Sequence, residues 1–133
     1  MKELIAIQNE INVPKNQRNK FGNYNYRSCE DILTAVKPLL AKYKSSILIT
    51  DEVKEVAGIP YAEATVVFKG PETEALSVKA QAGINPNRKG MDISQSFGSS
   101  SSYARKYALA GLLLLDDTKD SDTMDNSKEG FEL

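Results

Sequence analysis

The chain has 133 residues, 17 Lys and Arg against 18 Asp and Glu, no histidine and a single cysteine, Cys29. That length fits one domain with a moderate core; without histidine, serine-histidine and cysteine-histidine catalysis are excluded, a zinc site would have to be carboxylate-based, and one cysteine cannot close an internal disulfide. No long apolar run, signal peptide or G-x-x-x-x-G-K-[ST] phosphate loop occurs, so the expectation is a soluble cytoplasmic protein with no cofactor or metal, no membrane contact and no ATP-driven motor activity.

Residues 2–12 place Leu4, Ile5, Ile7 and Ile11 on a rough helical face that Pro14 stops, which predicts a short amphipathic helix. Residues 15–27 are dense in Asn, Lys, Arg and aromatic side chains and lack an apolar period, the mark of a loop or short irregular strand at a contact surface. Ser28 then caps a second helix, with Asp31 standing in for the usual Glu of a capping box. Ile32, Leu33, Val36, Leu39, Leu40 and Tyr43 form its apolar face through about residue 44, and Pro38 is expected to kink it or mark a local irregularity.

Three extended segments follow at residues 46–56, 61–69 and 74–83, rich in β-branched side chains and partly alternating. The breaks at Gly58-Ile59-Pro60 and Gly70-Pro71 fit hairpin connections, so the segments form an antiparallel meander with one wet face and one buried face. Residues 84–92, with Arg88 and Lys89, read as a mobile basic loop into a long helix that starts at about Ser94 and covers the buried face. The fold class is α+β: a three-stranded antiparallel β-meander covered by a long helix, with N-terminal helices.

Charge divides the chain. Residues 1–115 carry 15 basic against 11 acidic side chains, a net +4, while residues 116–133 carry 2 against 7, a net −5. The expected organisation is a core domain over residues 1–115 and an acidic, disordered tail over residues 116–133. The cluster Asp116, Asp117, Asp120 and Asp122 lacks the spacing of a calcium loop and reads as a solvated tail. Such a tail can shield a basic groove or present Phe131 and Leu133 to a partner.

Two stretches carry the residue types of a nucleic-acid surface. Residues 20–27, with Lys20, Tyr24, Tyr26 and Arg27, mix aromatic faces that stack on unpaired bases with cations that follow phosphates, a combination suited to a single strand more than to a duplex groove. The same residues would also serve as a turn, Gly22 and Asn23 supplying permissive backbone and the tyrosines folding onto the core. The second stretch sets Arg88 and Lys89 before a serine-rich helix entrance, where hydroxyls and backbone amides hold phosphate, and adds Arg105 and Lys106 further on. Its plain alternative is a helix start whose serines bond their own backbone. Within this helix Phe97, Ser101, Ala104, Ala108 and Gly111 mark a narrow packing stripe, and Tyr103 and Tyr107 lie one turn apart on another side.

The run from Gly98 to Leu109, with Ser99, Ser102, Tyr103, Arg105 and Tyr107, followed by an apolar run and Asp116-Asp117, resembles the signature G-S-x-x-S-Y-A-R-R-Y-A-L of the phage essential recombination function (ERF) family of single-strand annealing proteins. The block from Lys20 to Arg27 is similar to that family's upstream lysine, aromatic, glycine and tyrosine block, which likewise precedes a helix. The resemblance implies a β-β-β-α annealing core, assembled into rings or helical filaments, that holds single-stranded DNA in a basic groove and performs no bond chemistry. Lys106 departs from the pattern where the family has a second arginine, keeping the charge and losing the planar fork.

The expected DNA-binding set is Lys20, Tyr24, Tyr26, Arg27, Arg88, Lys89, Ser99, Ser102, Tyr103, Arg105 and Lys106, with Arg105 the first residue to mutate. Expected partners are single-stranded DNA, the annealed duplex intermediate, further copies of the chain, and a single-strand-binding protein at the acidic tail. The alternatives are a passive single-strand binder and a ring-forming adaptor that binds no DNA.

Overall fold

The computed structural model describes residues 1–87 and 89–116. In chain order it contains helix α1 (Lys2–Glu10), strands β1 (Gln17–Asn19) and β2 (Tyr24–Tyr26), helix α2 (Cys29–Lys42), strands β3 (Ser46–Val56), β4 (Ile59–Lys69) and β5 (Leu76–Gly83), and helix α3 (Ile93–Leu113). The fold is the expected α+β arrangement, with β3-β4-β5 an antiparallel meander and α3 against its inner face. The segment read as a loop or irregular strand is a second, two-stranded sheet, β1 pairing with β2 from Gln17↔Tyr26 to Asn19↔Tyr24.

Alternation fixes which face of the large sheet is dry. Ala62, Ala64, Val66 and Phe68 of β4 are buried, and register sets Ile47 and Ile49 of β3 and Val78, Ala80 and Ala82 of β5 beside them. Small alanines at the centre of this face let α3 approach closely, and the helix answers with Ala104 and Ala108, both fully buried. Leu109, Leu112 and Leu113 of α3 join Leu4 and Ile7 of α1 and Ile32 and Val36 of α2 in one continuous core. On the opposite face Glu63 accepts from Lys54 at 2.7 Å and from Gln81 at 2.9 Å, a polar cluster that suits the uncovered side.

The two prolines of this region, Pro38 and Pro60, sit inside elements rather than at breaks. The turn between β3 and β4 is made by Ala57 and Gly58, both at positive φ, so the sheet takes the twist of a two-residue type I′ connection and β4 begins before Pro60. Pro60 sits in the second position of that strand opposite Glu55, close enough to the strand start for its missing N–H to be tolerated. Helix α2 runs unbroken through Pro38; Thr34, whose carbonyl loses the bond Pro38 cannot donate, is exposed to solvent.

The helix ends follow the expected capping chemistry. Ser28 Oγ accepts from Asp31 N at 3.1 Å while Ser28 N donates to Asp31 Oδ2 at 2.8 Å, the reciprocal capping box. Ser45 N donates to Leu40 O at 2.9 Å with Lys44 left-handed at φ 52, closing α2 in a Schellman turn. Helix α3 starts slightly earlier than expected, capped by Asp92: its carboxylate accepts from Gln95 N at 2.8 Å, and its own N–H donates to the Gln95 side chain at 3.1 Å.

Candidate nucleic-acid interface

A helix turns about 100° per residue, and the consecutive serines of residues 99–102 are sent in different directions by that rotation. Ser100 is buried and donates to Gly83 O at 2.8 Å, at the end of β5; one turn earlier Ser96 donates to Asn85 O at 2.5 Å. Ser101 donates to Asp51 of β3. Ser99 and Ser102 face the other way, into a groove of about 250 Å³ between α3 and the segment that joins β2 to α2. The buried line of α3 is therefore Ser96, Ser100, Ala104 and Ala108, one residue away in phase at its start from the expected stripe; Ser101 lies outside it, Phe97 packs at the edge of the core, and Gly111 lies against Val78 of β5, where a Cβ would stand 3.7 Å from that side chain.

The groove is lined by Tyr26, Arg27, Ser28, Cys29 and Glu30 on one side and by Ser99, Ser102, Tyr103 and Lys106 on the other. It thus brings together the two stretches that sequence singled out, which lie some seventy positions apart in the chain. Lys106 Nζ stands 5.4 Å from the centroid of the Tyr26 ring, a cation–π contact that bridges the walls. Tyr26 continues into Tyr24, ring centroids 6.0 Å apart, and Tyr103 into Tyr107 at 6.1 Å with rings 33° apart, so each tyrosine of the lining has a second beside it. Tyr103 and Tyr107 are both nearly half exposed.

The cations expected to meet phosphate divide by environment. Arg27 is only 8% exposed, its Nε donating to Val13 O at 2.9 Å and its Nη1 to the carbonyl of Asp116. It lines the groove, with its Nε and Nη1 engaged by backbone carbonyls. Arg105 points to the sheet, where its Nε donates to Asp51 Oδ2 at 2.7 Å, and it does not line the groove. Lys106 is the basic side chain of the expected α3 pair that does. Lys20, in the β1–β2 turn, and Lys89, in the β5–α3 connection, are exposed outside the groove lining. Arg88 lies outside the described residues, as do Asp117, Asp120, Asp122, Phe131 and Leu133 of the acidic tail. Asp116 is described, and its carbonyl bond to Arg27 ties that point of the chain to the core.

The α3 N-terminus is capped by the Asp92 carboxylate, and the serine hydroxyls that face the groove are those of Ser99 and Ser102, about two turns further on. Sequence reading missed Ser28, Cys29 and Glu30 as lining residues because a helix cap and a helix first turn already explain them. Burial, the larger effect, and the nearby Glu30 carboxylate push the Cys29 thiol up, against the smaller opposing pull of Arg105 and Lys106. It also missed Asp51, which continues the inner-face series of β3 and only declares itself once Ser101 and Arg105 are seen to converge on it.

The bonds from Ser101 and then Arg105 hold the Asp51 carboxyl below the usual carboxylate range, and those from Lys54 and Gln81 do the same for Glu63. Because both folded-state values lie below the unfolded ones, their contribution to stability is complete above the ordinary carboxylate range, about pH 4, and is lost as pH falls through that range and below it. Denaturant midpoints measured between pH 7 and pH 3 are expected to fall on the acid side, less so in a double variant Asp51→Asn with Glu63→Gln. An equal acid fall in that variant would place the effect elsewhere.

Fold and groove together define a small α+β domain: a helix laid on a meander, with aromatic, hydroxyl and cationic side chains gathered where the hairpin meets the helix. The ERF superfamily model matches residues 1–131, and the chain belongs to that family. It is 47% identical over 126 residues to the essential recombination function protein of Salmonella phage P22, covering 95% of this chain and 60% of that relative's length. No solved structure matches the chain. Among the described residues no helix is long and apolar enough to cross a membrane.

Proposed function

We propose that this protein binds single-stranded DNA along the hairpin–helix groove and anneals complementary strands during phage recombination, without ATP and without making or breaking covalent bonds. The observation that carries this reading is the assembly of Tyr26, Ser99, Ser102, Tyr103 and Lys106 around one groove. Aromatic faces there suit unpaired bases, hydroxyls and the Lys106 ammonium suit phosphate oxygens, and no base-edge reader is needed for a strand of any sequence. Membership of the ERF family and the recombination name of the P22 relative support the same reading. Several copies side by side would align a strand longer than one groove can hold, so we place the activity on an oligomer.

Complementary oligonucleotides carrying a fluorophore and a quencher test it directly. The protein is expected to accelerate their pairing at least tenfold over the spontaneous rate with no nucleotide present. A protein that binds each strand but slows pairing would be a passive single-strand binder, and one that leaves oligonucleotide polarisation unchanged at moderate salt would not be a DNA-binding protein. Gel analysis of the same strands after incubation with magnesium would expose any cleavage.

A further inference from the structure

At the tip of the β1–β2 hairpin Phe21 stands fully in solvent, the most exposed large apolar side chain of the described residues. Single apolar residues at a surface are ordinary; the turn that presents this one is not loosely held. Asn19 Oδ1 accepts from the backbone N–H of Phe21 at 2.9 Å and from that of Gly22 at 3.0 Å. Arg18 donates to Asn23 and, at 3.2 Å, to Asn25 Oδ1, bracing the two strands below the tip. The Tyr24 ring is packed so closely on Gly22 that a Cβ there would fall 2.2 Å from it, and the Tyr24 hydroxyl accepts from Asn19 Nδ2 at 3.0 Å. Tyr24 thereby fills the space against the turn, and the Phe21 ring is held outward on a braced backbone.

The surroundings narrow what could cover that ring. Its neighbours in the turn are Lys20, Gly22 and Asn23, so no second apolar side chain extends the patch. Docking into a protein pocket or a lipid surface draws on a cluster of apolar groups. Stacking needs only one π face, with a cation near enough to meet the phosphate, and Lys20 supplies the cation. The same hairpin carries Tyr24 and Tyr26 on one face and delivers Tyr26 to the groove. Three strand residues, about 10 Å at 3.4 Å per residue, separate that end from the turn.

The geometry points to Phe21 as a base-stacking residue for an unpaired strand, positioned beyond the mouth of the groove on the line the hairpin defines. This inference rests on the single-strand binding proposed above. It extends the contact with one strand from the groove to the hairpin tip, at a residue whose removal costs the fold little.

The chain has no tryptophan, so Phe21→Trp introduces a single reporter. Titration with an oligo(dT) strand is expected to quench its emission along the same curve as the polarisation of the labelled strand, and an abasic strand of equal length is expected to leave it unchanged. Phe21→Ala should weaken oligo(dT) binding about 5- to 100-fold with thermal unfolding unaltered, Phe21→Tyr should restore it, and Phe21→Leu should not. Strand binding with unchanged tryptophan emission, wild-type affinity in Phe21→Ala, or equal quenching by the abasic strand would each overturn the inference while leaving the groove reading intact. So would a blue shift that appears with protein concentration alone, which puts the ring in a second copy, or with phospholipid vesicles, which puts it in lipid. No polarisation change for the wild-type protein would overturn both.

Discussion

Arg27→Met is expected to lower the unfolding free energy by about 3 kcal/mol, read as a shift in denaturant midpoint at unchanged slope. Methionine keeps most of the buried volume, so the substitution isolates the guanidinium bonds from the packing. Those bonds reach the carbonyl of the buried Val13, just before Pro14, and the carbonyl of Asp116, just beyond the end of α3. A charge-assisted bond contributes roughly 1.5–3 kcal/mol, and the buried Val13 carbonyl left without a donor adds its own desolvation cost. Arg27→Lys should recover only part of the loss, because a point charge on a flexible stem cannot serve two carbonyls as a planar fork does. A midpoint within about 0.5 kcal/mol of wild type, the usual range for an uninvolved surface position, would show that the clasp contributes nothing.

Lys106→Ala is expected to weaken oligonucleotide binding about tenfold near 0.1 M salt and to reduce the slope of log affinity against log salt by about 0.7, the value of one phosphate contact to a single strand. Arg105→Ala should change the slope by much less. Adjacent in sequence, the two cations are turned apart by the helix: Lys106 leans over the Tyr26 ring in the groove, while Arg105 is engaged by Asp51 on the sheet. Loss of Arg105 should instead appear as a stability change near neutral pH, since Asp51 keeps its charge and loses a partner. If Arg105→Ala proves the more damaging to the salt slope, strands cross the Asp51 side of α3 and the groove is not their path. That result would favour Arg105, the first residue to mutate on the sequence alone.

Much of the architecture was legible in the chain. Alternation over the meander and the small residues of α3 share one cause, the need of a sheet and a helix to approach closely, and the Ser28-Asp31 pair is a local rule that tertiary structure did not override. The short hairpin was not legible, because three-residue strands carry too little pattern to separate from a loop. Nor was the phase of α3 at its start: the stripe was set by Phe97, whereas Ser96 and Ser100 are buried polar residues whose hydroxyls are satisfied by carbonyls at and just beyond the end of β5. For the site, residue types pointed to two stretches that the fold brings together, but not to which of their side chains line the groove. Sequence does not tell whether an arginine clasps backbone, and only the positions of Val13 O and Asp116 O show that Arg27 does.

The serines of residues 99–102 look interchangeable, and swapping any two of them changes nothing in the written sequence. Their number is another matter. Deleting one would leave the same residue types in the same order, yet rotate everything on one side of the gap by about 100° relative to the other and shift it 1.5 Å along the axis. Ala104 and Ala108 would leave the alanines of β4, and Lys106 would leave the Tyr26 ring, unless the helix entrance let go of the sheet instead. What the run encodes is a count: it sets the angular offset between the part of α3 bonded to the end of β5 and the part that lines the groove.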